Sequence, residues 1–126
     1  MTKRQKAIEV TEETKKKVLE RQDYKSISGA GLNVRTVNYH HVIPRSSSGV
    51  GYEWNIVALT GEEHREYHDH APITINGRQY YSWEEFDTLI QNHLKIKYPN
   101  WSKKLCRYSK YKETEEEYGI IHESER

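Results

Sequence analysis

The sequence predicts an α+β fold in which two short strands and a helix form the centre, flanked by N- and C-terminal helices and a short β-hairpin. Three observations predict it. An apolar, β-branched run reaches His40-His41 and a second runs over Trp54–Leu59, and both read as strands. Thr60 with Glu63 three residues on marks the start of a helix, which places His64 and His68 on one face, one turn apart. Asn76-Gly77, between Ile73-Thr74-Ile75 and Gln79-Tyr80-Tyr81, is a strong hairpin signal. Five of the seven histidines fall within residues 39–70, so the simplest object using all of this is two strands and a helix around one metal ion.

Taken in order, residues 1–10 are polar and basic and read as a mobile arm. Thr11-Glu12-Glu13-Thr14 offers a cap, and Lys15–Gln22 then reads as a short helix with Val18 and Leu19 turned inward. Lys15-Lys16-Lys17 reads first as a solvated helix face. Tyr24–Leu32 is a Ser- and Gly-rich loop. Val34–Ile43 is the first strand, stopped by Pro44, which cannot donate to a ladder. The loop Arg45–Glu53 leads to the second strand, Trp54–Leu59, and Gly61–His70 is the central helix, ended by Pro72. After the hairpin, Ser82 caps an amphipathic helix on which Phe86, Leu89, Ile90, His93 and Leu94 recur at helical spacing as far as Tyr98-Pro99. The resulting organisation is an arm (1–10), one domain (11–98, with its core motif at 34–70), a basic aromatic segment (99–112) and an acidic tail (113–126) that reads as disordered.

Composition narrows the classes. Only 34% of the chain is apolar and 31% is charged, so the core is small and a bound metal would be a natural source of stability. The formal net charge of +1 argues for no particular partner, but its distribution does. Residues 1–50 hold ten Lys/Arg against five Asp/Glu; residues 95–112 hold seven Lys/Arg and no acid. Local basic faces of this kind suit a nucleic acid. A single cysteine, Cys106, excludes an internal disulfide and fits a reducing compartment. No apolar run approaches the roughly 18 residues that span a bilayer, and the charged N-terminus lacks the apolar stretch of a secretory signal. The expectation is a cytoplasmic protein without membrane partners.

The ordered set His40-His41, Asn55, His64 and His68, flanked by His-His-Val-Ile-Pro-Arg-Ser and Asn-Ile-Val-Ala-Leu-Thr, resembles the HNH endonuclease motif of the ββα-metal (His-Me finger) fold. The resemblance covers roughly Thr14 to Asp69. It implies a metal-dependent endonuclease hydrolysing DNA phosphodiester bonds, leaving 5′-phosphate and 3′-hydroxyl ends. By that resemblance His40, His64 and His68 hold one divalent metal ion, His41 is the general base, and Asn55 bridges the loop to backbone near His41. Periodicity alone sends adjacent strand residues to opposite faces, so the division of labour between His40 and His41 comes from the resemblance. An all-imidazole set suits Zn, Ni, Mn or Co better than Mg, although related enzymes use Mg readily. Arg45, just past the strand, could clamp the scissile phosphate; Lys103, Lys104 and Arg107 are further DNA-binding candidates. The aromatics of that segment could equally close the core while its lysines face water.

Many relatives carry a CxxC knuckle after a helix ending in Leu-Glu-Arg. Here Leu19-Glu20-Arg21 is followed by Ser26-Ile27-Ser28-Gly29, and serine is a poor zinc ligand, so one metal site is expected rather than two. Size and motif resemble small stand-alone phage or prophage nucleases that work beside the terminase, or another DNA-processing protein, in the host cytoplasm. The alternative, from another class, is a metal-stabilised nucleic-acid-binding module without cleavage. A toxin nuclease domain is a third reading. His70, His93, His122 and Cys106 are left out of the site.

Overall fold

The strand Ile56–Leu59 (β2) is where the apolar residues of the chain meet, and all four of its side chains are buried. Alternation along a strand explains how. Ile56 and Ala58 face Val18 and Leu19 of one helix, while Val57 and Leu59 join the larger core with Ile73, Phe86, Ile90 and Leu94. Both faces of this strand are therefore covered by other elements.

The computed structural model describes residues 1–109. Its elements are helices α1 (Lys3–Ile8) and α2 (Glu12–Arg21), strands β1 (Asn38–His41) and β2, helix α3 (Gly61–His68), strands β3 (Ile73–Ile75) and β4 (Arg78–Tyr81), and helix α4 (Trp83–Lys97). Short 3-10 turns cover Arg45–Ser47, Glu53–Asn55 and Lys103–Cys106. Strands β1 and β2 pair antiparallel with His40 opposite Val57 and His41 opposite Ile56; β3 and β4 form a separate antiparallel hairpin. Mixed helix and strand, as expected, is what the chain forms. Among the described residues no helix is long and apolar enough to cross a membrane. The expected acidic tail with His122, and the last three residues of the basic aromatic segment (110–112), lie outside the described residues.

Several boundaries differ from the sequence expectation. The first strand is shorter than Val34–Ile43 because Asn33 makes a turn: its side chain accepts from the Arg35 N–H at 2.9 Å and its carbonyl from the amides of Thr36 and Val37. Helix α2 starts three residues earlier than Lys15, since Thr11 caps it by accepting from the Thr14 amide and Glu12 and Glu13 then suit its first turn. Its lysines form the expected solvated face, with Lys15 on Glu12 at 3.0 Å and Lys17 on Glu13 at 3.7 Å.

The N-terminal arm, expected to carry no element, forms α1. Thr2 and Gln5 make a reciprocal capping box, and Ala7 and Ile8 are buried. The Ala7 carbonyl accepts from the Gly51 amide at 2.7 Å, and a Cβ at Gly51 would come within 2.0 Å of the Glu9 carbonyl oxygen. Close approach of backbone to backbone at a glycine anchors the arm, and nothing in the local sequence of α1 announces it.

Polar ties also hold the elements together. Arg21 donates to the Glu53 carbonyl (2.7 Å), the Ile56 carbonyl (2.7 Å), the Tyr98 hydroxyl (3.2 Å) and His93 Nε2 (2.9 Å), joining α2, β2 and α4. In the C-terminal segment, Trp101 donates its indole N–H to the Trp54 carbonyl at 2.6 Å, and Trp54 donates to the Leu105 carbonyl at 3.0 Å. Trp101 and Cys106 are buried and Tyr108 packs on the core, whereas Lys103, Lys104 and Arg107 are exposed. The described aromatics of this segment thus close the core, and its bases face solvent.

Two outcomes test this account. A Cβ at Gly49 would meet the Ile43 carbonyl oxygen at 1.6 Å, whereas one at Gly31 meets nothing within 4 Å. Gly49→Ala is therefore expected to lose about 2–4 kcal/mol in urea denaturation and Gly31→Ala to stay close to the parent. His93 is held down to about 3 by burial, then by the Arg21 and Lys97 charges. Below the ordinary histidine value the unfolded chain takes up a proton that the folded one refuses, so stability falls as pH drops from about 6.5 towards about 3. His93→Gln should flatten that decline when unfolding midpoints are measured against pH.

Candidate metal centre

The site is assembled where β1 leaves the sheet and α3 returns across it. His40 lies on β1 with its ring against α3: ring centroids are 5.2 Å from His64 and 5.0 Å from Tyr67, both edge-on. Its Nε2 is buried and has no hydrogen-bond partner. Burial, reinforced by the neighbouring His64 and His41, pushes His40 down to about 3, so the ring is neutral at pH 7. A buried ring nitrogen without a partner is costly unless something binds it.

His64 is positioned by α3, whose start is fixed by the Thr60–Glu63 capping box. Its Nδ1 is 3.2 Å from Asn38 Oδ1, an atom that can only accept, so Nδ1 carries the proton and Nε2 keeps its lone pair. Asn38 sits two residues before His40 on the same strand, and period-two reasoning could have picked it out. Burial, then His68, lowers the His64 pKa. His68, one turn further on, is largely exposed and rests 3.7 Å from Asp69. Among the described residues no three His, Cys, Asp or Glu groups stand together as a ready-made metal cage: the structure brings His40 and His64 together and leaves the His68 ring outside.

His41 leaves the strand on the other side, as the pleat requires. Its Nε2 is 3.0 Å from the Ile8 carbonyl, the last residue of α1, so Nε2–H donates and Nδ1 is the nitrogen left to accept a proton. Burial lowers its pKa, the Ile8 carbonyl works against that, and the Arg45 charge adds to it. The sequence offered no sign that α1 would supply this contact.

Asn55 is fully buried and makes three hydrogen bonds with its amide. Oδ1 accepts from the Ile43 N–H at 2.8 Å; Nδ2 donates to the Ile43 carbonyl at 3.1 Å and the Val50 carbonyl at 2.8 Å. It closes the loop between the strands from inside, two residues beyond His41. Arg45 stands exposed on the 3-10 turn of that loop.

The carboxylates of α3 serve other partners. Glu66 accepts from the Thr74 amide at 3.0 Å, and the Thr74 hydroxyl, with one proton to give, lies 2.8 Å from both Glu62 and Glu66, tying α3 to β3. Glu63, 1% exposed, accepts from Ser26 Oγ at 2.5 Å and from Ser28 Oγ, fastening the Ser26–Gly29 turn to α3. Tyr67, whose ring touches His40, donates its hydroxyl to Asp87 at 2.5 Å, and burial with that carboxylate raises its pKa. Sequence reasoning missed Tyr67 and Asp87, which come from different helices. Of the residues left out of the site, His70 stacks on Trp83 at 4.3 Å, and Cys106 is a core thiol that burial pushes up to about 12.

Comparison with family models, with curated proteins and with solved structures finds no match to this chain.

Asn55→Ala strips the Ile43 N–H of its acceptor in a dry site and is expected to cost about 2–4 kcal/mol. Urea denaturation beside Arg45→Ala, an exposed change expected to be near neutral, measures the difference.

Proposed function

We propose that the chain is a metal-dependent HNH-type endonuclease that hydrolyses DNA phosphodiester bonds. The observation that carries this reading is the buried, partnerless Nε2 of neutral His40, set beside a His64 ring whose Nδ1–H is already committed to Asn38. Two neutral imidazoles with free lone pairs, one of them oriented by a neighbouring acceptor, are what a divalent ion requires of its ligands. His68, on the next turn of α3, is the third donor and reaches the site by turning its exposed side chain away from Asp69. The donor chemistry fits Zn, Ni, Mn or Co, with Mg open to the same site. When bound, such an ion supplies charge stabilisation to the phosphorane-like transition state and to the leaving 3′ oxygen.

The remaining steps belong to side chains. Nδ1 of His41 takes the proton of the attacking water, while Nε2–H, held by the Ile8 carbonyl, keeps the ring in the accepting tautomer. Asn55 fixes the strand end and the loop that follows, so that His41 and Arg45 keep their spacing. The Arg45 guanidinium offers paired N–H donors to a phosphate.

Supercoiled plasmid incubated with the protein and Mn or Ni should be nicked, and His41→Ala should slow nicking by about 10²–10⁴-fold. Chelation should abolish it. Plasmid binding without nicking under every metal would instead support a metal-stabilised nucleic-acid-binding module.

A further inference from the structure

Three arginines distant in sequence meet at the loop that Asn55 closes. Arg45 is part of it. Arg4, on α1, donates Nε to Ser48 Oγ at 3.1 Å and Nη2 to the Arg45 carbonyl at 3.4 Å. Arg107 pairs with Gly49 through an isolated antiparallel bridge, flanked by the Val50 amide on the Cys106 carbonyl (2.8 Å) and the Tyr108 amide on the Ser48 carbonyl (2.7 Å). All three are exposed, and among the described residues no carboxylate forms an ion pair with any of them. Three exposed arginines carried by one loop and the two segments docked on it, Arg4 through its side chain and Arg107 through its backbone, raise the local potential, which favours a polyanion.

We infer that Arg4, Arg45 and Arg107 form a phosphate-gripping surface for the backbone of duplex DNA, continuous with the candidate site. This rests on the nuclease reading for the choice of polyanion. Continuity comes from α1: the same short helix that presents Arg4 gives its Ile8 carbonyl to His41. Planar guanidinium groups, with the exposed residues Ser46 and Ser47 following Arg45 on the same loop, are donors that phosphate oxygens take, and they read no bases. The arm thus has two tasks, orienting the base and adding a backbone contact. Contacts of this kind release counterions, so binding weakens steeply with salt.

The test is fluorescence anisotropy of a short labelled DNA duplex, titrated with the 126-residue chain across a salt series in EDTA, where hydrolysis is stopped. Arg4→Gln and Arg107→Gln should each weaken binding by about 3–10-fold and each reduce the slope of log affinity against log salt by about 0.9. Arg4→Lys should restore most of the Arg4 slope, which separates charge from any packing role. An unchanged slope in both glutamine variants overturns the proposal, as does a loss no larger than that of Lys17→Gln, a lysine already paired with Glu13. Tighter binding of an RNA duplex with the same arginine dependence overturns the assignment to DNA. Arginine-dependent binding without nicking under any metal sinks the nuclease reading and leaves this surface standing; nicking with binding indifferent to Arg4 and Arg107 does the reverse.

Discussion

The structure depends on one buried amide. Asn55 sits at the start of β2 with no exposure to solvent, and its side chain satisfies backbone groups on both ends of the loop from Pro44 to Val50. The loop makes its own turn bonds onto Pro44 and Arg45 and a bridge to Arg107. The N–H and C=O of Ile43 and the Val50 carbonyl, where it opens and closes, take the Asn55 amide as partner. Asparagine provides an acceptor and two donors on one short stem. Once the loop is closed, His41 stands at its entrance, Arg45 on its turn, and both α1 and the segment around Arg107 dock against it.

Around that closure, the pleat of β1 divides the labour. His40 turns to α3, where aromatic rings exclude water and keep the imidazole neutral. His41 turns to α1, where a single carbonyl selects the tautomer. Neighbouring histidines would repel one another if protonated, and burial of both removes that conflict. The difficulty that opposite faces pose for adjacent residues is met by giving each face its own helix.

What was legible in the sequence follows from which forces are local. The strand–strand–helix order was readable because β2 is a short apolar run and α3 and α4 announce themselves with capping boxes at Thr60 and Ser82. The Asn-Gly turn placed the hairpin for the same reason. Helix α1 carries the same capping signal at Thr2 and Gln5, but six residues do not hold a helix alone, and the packing that buries Ala7 and Ile8 involves a glycine more than forty positions away. The candidate site divides in the same way. His40, His41, Asn55 and His64 share one motif, so their spacing speaks for them. Asn38, Arg4, Tyr67 and Asp87 enter only through the fold, and the rotation of the His68 ring towards Asp69 is a surface detail that no spacing encodes. The aromatics after Pro99 left two readings open; the buried Trp101 indole and its bond to Trp54 place the described part of that segment with the core.

The turn at Ser26–Gly29 is pinned to α3 by two hydroxyls on the Glu63 carboxylate, where a pair of thiolates on zinc would be an alternative fastening. Hydroxyl groups are indifferent to peroxide and to thiol exchange, and they release nothing to a sequestering agent. The scaffold beside His64 is therefore redox-inert at this joint, and a chelator finds nothing there to remove.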